Sequence, residues 1–138
     1  KVTLVAGGKE RWVSVWNGLQ ALDAISNRSD VFILVHDAAR PCVEVERIET
    51  VLQRAKNCGA AILAQSLWGT IKRKNSEGFV TETVPREGLY QATTPQIFRA
   101  DWLFAAYRRI MSDPEFAPTD DAQIVSAAGY DVGICDDA

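Results

Sequence analysis

Apolar residues fall into two spacings along this chain, and the switches between them mark its elements. Residues 31–35 are an apolar run without polar alternation, the pattern of a strand covered on both faces; residues 2–5 read as a short strand before it and 60–65 as a second buried strand after it. The middle run, Val31-Phe32-Ile33-Leu34-Val35, is mostly β-branched or aromatic and is expected to be the innermost strand. Between the runs the spacing becomes helical. Trp12, Val15, Trp16, Leu19 and Leu22 form one stripe, and Ile48, Val51, Leu52 and Ala55 form another within a helix expected over 45–57, capped by Asn57-Cys58-Gly59. Strand, helix and strand in succession predict a right-handed βαβ unit. The expected fold is therefore α/β, with a mostly parallel central sheet flanked by helices.

Past residue 67 the period changes to two. Residues 70–74 and 79–84 alternate around Asn75-Ser76-Glu77-Gly78, which predicts a β-hairpin arm over about 67–88. An arm this polar, yet carrying Ile71, Phe79 and Val84, is expected to pack on another body such as a second subunit. Residues 90–98 contain Pro95 and read as a mixed stretch. A helix follows over 100–111 with Trp102, Leu103, Ala106, Tyr107 and Ile110 facing inward. Thr119 is expected to N-cap a last helix, with Asp120 and Asp121 in its first turn and Gly129 closing it, before a strand over 130–135.

Chemistry concentrates where the innermost strand ends. His36-Asp37-Ala38-Ala39-Arg40-Pro41 cannot continue a core strand, and it falls where open α/β sheets place ligands, beyond the carboxyl ends of the strands. Asp37 offers hard oxygens to a metal ion and Arg40 a fork to a phosphate, while the small Ala38 and Ala39 admit a ligand to the backbone. The same two charges would also serve as an ion pair capping the turn. His36, the only histidine, is expected to make a structural hydrogen bond. Gly7-Gly8 ahead of the first helix allows backbone N–H groups near a ligand, with Arg11 and Ser14 about one turn apart on the helix behind it. Thr70 and Arg86 stand at the two bases of the hairpin, a pairing that suits a phosphate or an ordinary turn. In the basic run 72–74, Arg73 and Lys74 suit a solvated edge that discourages aggregation.

The 138 residues, 47 % of them hydrophobic, allow one sizeable core and one domain. A net charge of −3 with interspersed signs gives no footprint for nucleic acid. No apolar run is long enough for a membrane span. Three widely spaced cysteines suit reduced thiols and a cytoplasmic location. Both ends look like the middle of an α/β domain, so the sequence is expected to be a segment of a longer polypeptide.

Four blocks taken together carry a resemblance: Gly7-Gly8-x-x-Arg11-x-x-Ser14-Val15-x-x-Gly18-Leu19, Val35-His36-Asp37-Ala38-Ala39-Arg40-Pro41, Thr93-Thr94-Pro95-Gln96 and Thr119-Asp120-Asp121-Ala122. In order and spacing they resemble the 2-C-methyl-D-erythritol 4-phosphate cytidylyltransferases of non-mevalonate isoprenoid biosynthesis, over essentially the whole chain. The resemblance implies a Rossmann-like nucleotidyltransferase fold whose hairpin arm interlocks a homodimer. It implies a reaction of CTP with methylerythritol phosphate, assisted by Mg²⁺ or another divalent cation, in a cytoplasmic enzyme (or a plastid one in a plant-like source). It further implies that Asp37 and Arg40 are catalytic and that Asp37 holds the metal. Gly7, Gly8, Arg11, Ser14 and Ala38 would serve the nucleotide. Asp37, Arg40, Thr70, Arg86 and Thr93 would line the sugar-phosphate site, with Thr70 and Arg86 reaching it from the partner's arm.

The sequence departs from the family pattern in places. The glycine-rich basic loop that grips the triphosphate and a lysine beyond the last strand are not among these residues, so the segment alone is expected to be inactive. Gly69 stands where an acid usually precedes Thr70, and Lys9 where an acid is common. The alternatives are a cytidylyltransferase for another polyol phosphate such as ribitol 5-phosphate, whose relatives tend to carry Val where Ala39 stands, and a non-catalytic dimerisation module of the same fold.

Overall fold

Successive residues of one strand enter two different cores, and this fixes the layering. The computed structural model describes residues 1–137. In strand β2 (Ala60–Ser66), Ala60 and Ile62 enter one hydrophobic cluster, whereas Ala61 and Leu63 enter another on the opposite face. Helix α2 (Val45–Cys58) covers the second cluster through Val51 and Ala55. Helices α1 (Arg11–Ala21), α3 (Ala100–Ile110) and α4 (Asp121–Ala127) cover the first. The result is a sheet with helices on both faces, as the apolar runs predict.

The sheet differs from expectation in five ways. Residues 90–98, read as mixed, form the longest strand, β5 (Tyr90–Arg99). It lies antiparallel between β1 (Phe32–Val35) and β2, and β6 (Gly133–Asp136) completes the order β1-β5-β2-β6. The run 31–35 is thus not innermost: β1 is an edge among the described residues, and Leu34 is 40 % exposed. Three strands share one direction, yet β2 and β6 form the single parallel ladder among the described residues. Residues 2–5 form no ladder, and Val2 and Leu4 are 88 % and 94 % exposed. A strand needs a hydrogen-bonding neighbour, and these residues have none among those described. The final strand begins at Gly133, three residues later than expected.

Pro95 explains why β5 escapes recognition from sequence. Proline has no N–H for a ladder and argues against a strand. Here the pairing of β5 with β2 jumps from Ile62↔Gln96 to Ala64↔Ala92, so residues 93–95 lie in a bulge where no ladder donor is needed.

The hairpin is a separate two-stranded sheet, β3 (Ile71–Lys74) with β4 (Val80–Val84). Its turn is held by Asn75, whose Oδ1 accepts from the backbone N–H of Glu77 and Phe79, and Gly78 supplies the left-handed conformation. Lys72 donates to Thr83 and Arg73 pairs with Glu82 across the strands, so the basic run is partly neutralised on its own arm.

Gly59 ends α2 at φ +94°, as its position predicts, and a Cβ there would lie 2.2 Å from the ring of Trp102. Trp102 cannot withdraw easily, because it stacks on Tyr130 with centroids 4.5 Å apart. Gly59→Ala is therefore expected to cost at least about 2 kcal/mol in urea denaturation, combining left-handed strain with overpacking.

Candidate active site

The start of the Asp37 loop is anchored to β5 through Thr94. His36 Nε2 lies 2.7 Å from the carbonyl oxygen of Arg40, which can only accept, so Nε2 carries the proton. Its Nδ1 lies 2.9 Å from Thr94 Oγ1, and the same hydroxyl oxygen accepts from the Asp37 backbone N–H at 3.2 Å. His36 thus has the structural role its isolation predicts. Together with the Arg40 N–H donating to the Asp37 carbonyl, these bonds curl residues 36–40 into a tight turn. Thr94 can reach the loop because the bulge displaces it from regular pairing.

Asp37 and Arg40 both face concavities. Asp37 lines a cavity of about 300 Å³ with Arg11, Ala92, Gln96, Thr119 and Asp120. Arg40 lines a second, of about 330 Å³, with Arg47 and Gln65. Thr93 and Thr94 border both, so the β5 bulge is the wall between them. The expected capping ion pair is only loosely present, with Arg40 Nε 3.7 Å from Asp37 Oδ2.

The firm partner of Asp37 is Arg11. Its Nε and Nη2 donate to Asp37 Oδ1 at 3.1 and 3.0 Å, and its Nη1 donates to Asp121 Oδ2 at 2.7 Å. Asp121 is fully buried, and its Oδ1 accepts from the hydroxyl of the equally buried Tyr107. Burial alone would push the Arg11 guanidinium down, but hydrogen bonds and charge from Asp121 and Asp37 hold it above its ordinary value. Burial, reinforced by the charge of Asp121, pushes the Tyr107 phenol well upward and keeps it a neutral donor.

Asp120, rather than Thr119, is the N-cap of α4: its Oδ1 accepts from the Gln123 N–H at 2.8 Å. Thr119 instead donates its backbone N–H and its hydroxyl to Gln123 Oε1, which leaves it outside the helix. Buried Gln96 clamps this helix start to β5, donating to Asp120 Oδ2 and accepting from the Ala122 N–H, both at 3.1 Å.

The remaining predicted residues are placed unevenly. The Gly8 N–H donates to Ser14 Oγ at 2.9 Å, so it closes a local turn on α1 instead of standing free for a ligand. A Cβ on Gly8 would meet Val13 at 2.2 Å, which accounts for glycine there, whereas Gly7 has ordinary contact with Ser14. Ala38 is exposed on the loop. Thr93 borders both cavities, but its hydroxyl donates to the Leu63 carbonyl at 3.1 Å. Thr70 and Arg86 line neither cavity. Arg86 donates to the Trp68 carbonyl at the arm's base. Thr94, Gln96, Asp121 and Tyr107 are site residues that sequence reasoning misses. For the first three, a place in the Thr93-Thr94-Pro95-Gln96 and Thr119-Asp120-Asp121-Ala122 blocks is the one available signal.

Comparison with known proteins decides the family. The family model described as IspD: 2-C-methyl-D-erythritol 4-phosphate cytidylyltransferase matches residues 1–138. The chain belongs to that family. It is 44 % identical over 124 residues to the 2-C-methyl-D-erythritol 4-phosphate cytidylyltransferase of Dehalococcoides mccartyi strain CBDB1, covering 90 % of this chain and 51 % of that protein. It is 42 % identical over 131 residues to the bifunctional enzyme IspD/IspF of Desulforudis audaxviator, covering 95 % of this chain and 32 % of that protein. The crystal structure of the Thermus thermophilus cytidylyltransferase superposes with a TM-score of 0.82 at 32 % identity, over 96 % of this chain and 61 % of that one. The chain therefore spans about a third to a half of the length of these sequence relatives. No described helix is long and apolar enough to cross a membrane.

Removing Arg11 leaves the buried Asp121 carboxylate with a phenol as its only partner among the described residues. Arg11→Met is expected to lower stability by about 3 kcal/mol. The double variant Arg11→Met/Asp121→Asn should recover most of that loss in the same chemical denaturation, because the uncompensated charge is gone.

Proposed function

We propose that this chain forms part of a cytidylyltransferase that joins CTP to 2-C-methyl-D-erythritol 4-phosphate, giving 4-diphosphocytidyl-2-C-methyl-D-erythritol and pyrophosphate. The observation that carries the reading is the pair of adjoining cavities at the β5 bulge, one presenting Asp37 and the other Arg40, in a chain of this family. Arg40 receives the phosphate of the sugar alcohol, where a guanidinium fork matches its oxygens. An oxygen of that phosphate attacks the α-phosphorus of CTP, the bond to the β-phosphate breaks, and pyrophosphate leaves with the electron pair. Such a displacement needs alignment and charge stabilisation more than covalent help, which suits a site built from a fixed carboxylate and guanidinium groups.

A divalent cation fits this donor set in a limited way. Among the described residues no three His, Cys, Asp or Glu side chains converge on one point, so the protein's share is the Asp37 carboxylate. Mg²⁺ is commonly held by one or two carboxylates plus substrate phosphates. When bound it would neutralise triphosphate charge and favour departure of pyrophosphate. Gly7, Gly8, Ser14 and Ala38 are assigned to the nucleotide, and Gly8 and Ser14 serve it by fixing the turn between them.

Thr70 and Arg86 are assigned to the sugar-phosphate site of a second subunit. The arm's exposed apolar surface supports a homodimer formed through it: Trp68 is 88 % and Phe79 68 % exposed. Phe79→Asp is expected to weaken self-association by about tenfold or more in sedimentation equilibrium. An unchanged dimer would place the interface elsewhere.

The full polypeptide carrying this sequence should release pyrophosphate from CTP and methylerythritol phosphate, with ribitol 5-phosphate turned over far more slowly. Asp37→Asn should cut kcat/KM by about 100-fold or more. Preference for ribitol 5-phosphate would reassign the substrate, and no release with either would refute the transferase reading.

A further inference from the structure

Asp37 is the outer, partly exposed end of a hydrogen-bonded chain that begins in the core. The Tyr107 hydroxyl on α3 donates to Asp121 on α4, Asp121 accepts from Arg11 at the start of α1, and Arg11 donates twice to Asp37 Oδ1. Four separate elements thus meet in one line. Among the described residues Asp37 Oδ2 makes no hydrogen bond, and its ionic neighbour Arg40 Nε is 3.7 Å away. One carboxylate oxygen is held and the other is presented to the cavities.

A half-exposed arginine beside a single carboxylate would ordinarily fork onto both of its oxygens. Here Nε and Nη2 converge on Oδ1 alone, while Asp121 anchors the guanidinium from its other side through Nη1 at 2.7 Å. Asp121 cannot turn away, because it is fully buried and its other oxygen is held by Tyr107. We propose that Tyr107 and Asp121 are positioning residues for Asp37: they restrain Arg11 so that it engages Oδ1 alone and leaves Oδ2 for a cation carried on a nucleoside triphosphate. This rests on the cytidylyltransferase reading for the identity of the ligand, but the relay itself belongs to the fold. Without Asp121, the guanidinium is released to take both oxygens of Asp37 and compete with the cation.

The test uses the full polypeptide and Mn²⁺ as the probe, with the enhancement of water-proton relaxation measured in the presence of CTP over that of Mn²⁺ and CTP without protein. Tyr107→Phe and Asp121→Asn are expected to weaken Mn²⁺ binding by about tenfold, as substitutions behind a metal ligand do, with partial recovery in Asp121→Glu. CTP binding measured without metal should stay as in the parent, which a general loss of structure would not allow. The proposal is overturned if the folded variants bind Mn²⁺ like the parent, or if they lose CTP equally with and without metal. If the parent itself binds no Mn²⁺ with CTP, the cytidylyltransferase reading fails, and a double-mutant cycle in denaturant judges the relay. Tyr107→Phe and Asp37→Asn, though not in contact, should then depart from additivity by at least about twofold in the folding equilibrium constant, and strict additivity would overturn it.

Discussion

The interruption in β5 is the constraint on which the rest of this structure depends. A strand hydrogen-bonded along both edges is the most restrained element a sheet can offer, and β5 is paired to β1 on one side and β2 on the other. Its regular half, through Ile97 and Phe98, fills both hydrophobic clusters. Its bulge then takes three residues out of the ladder in the middle of this rigid framework. Thr94 turns to the His36 turn, Thr93 stands between two cavities, and Gln96, just past the bulge, reaches the start of α4. Local irregularity of the pairing, held within a well-packed sheet, gives a polar site without a loose one.

Charge is distributed about this wall in a graded way. The innermost carboxylate, Asp121, has both oxygens occupied by protein donors, consistent with the high cost of leaving a buried charge unpaired. Arg11 lies between the interior and the cavity and shares its donors between Asp121 and Asp37. Asp37, about one-third exposed, retains an uncommitted oxygen. Moving outward along this line, satisfaction by the protein falls and availability to a ligand rises. Such a gradient separates groups that define the fold from groups that act, while coupling one to the other.

The arm follows the opposite logic. Its strands carry their own cross-strand pairs and their turn is satisfied by Asn75, so its backbone needs nothing from the main body. Trp68, Phe79 and Val80, however, remain exposed. An element whose polar groups are satisfied locally but whose apolar surface is not is suited to association, in keeping with the role proposed for it.

Local patterning by itself determined the helices, the hairpin and the loop that bears the chemistry. The stripes of α1, α2 and α3, the cap at Gly59 and the polar break after Val35 depend on neighbours in sequence, and so they are legible there. The family blocks also singled out Asp37, Arg40 and Arg11, but not the contact between Arg11 and Asp37. What only the tertiary structure decided is the partnership of distant segments. Pro95 argues against a strand until the bulge that relieves its missing donor is seen. The run 31–35 looks innermost until β5 is found beside it, and no spacing reveals that Arg11 spans the 110 positions to Asp121. The physical reason is that strand pairing and buried ion pairing require the closing of long loops, and their energies depend on which surfaces meet rather than on which residues adjoin.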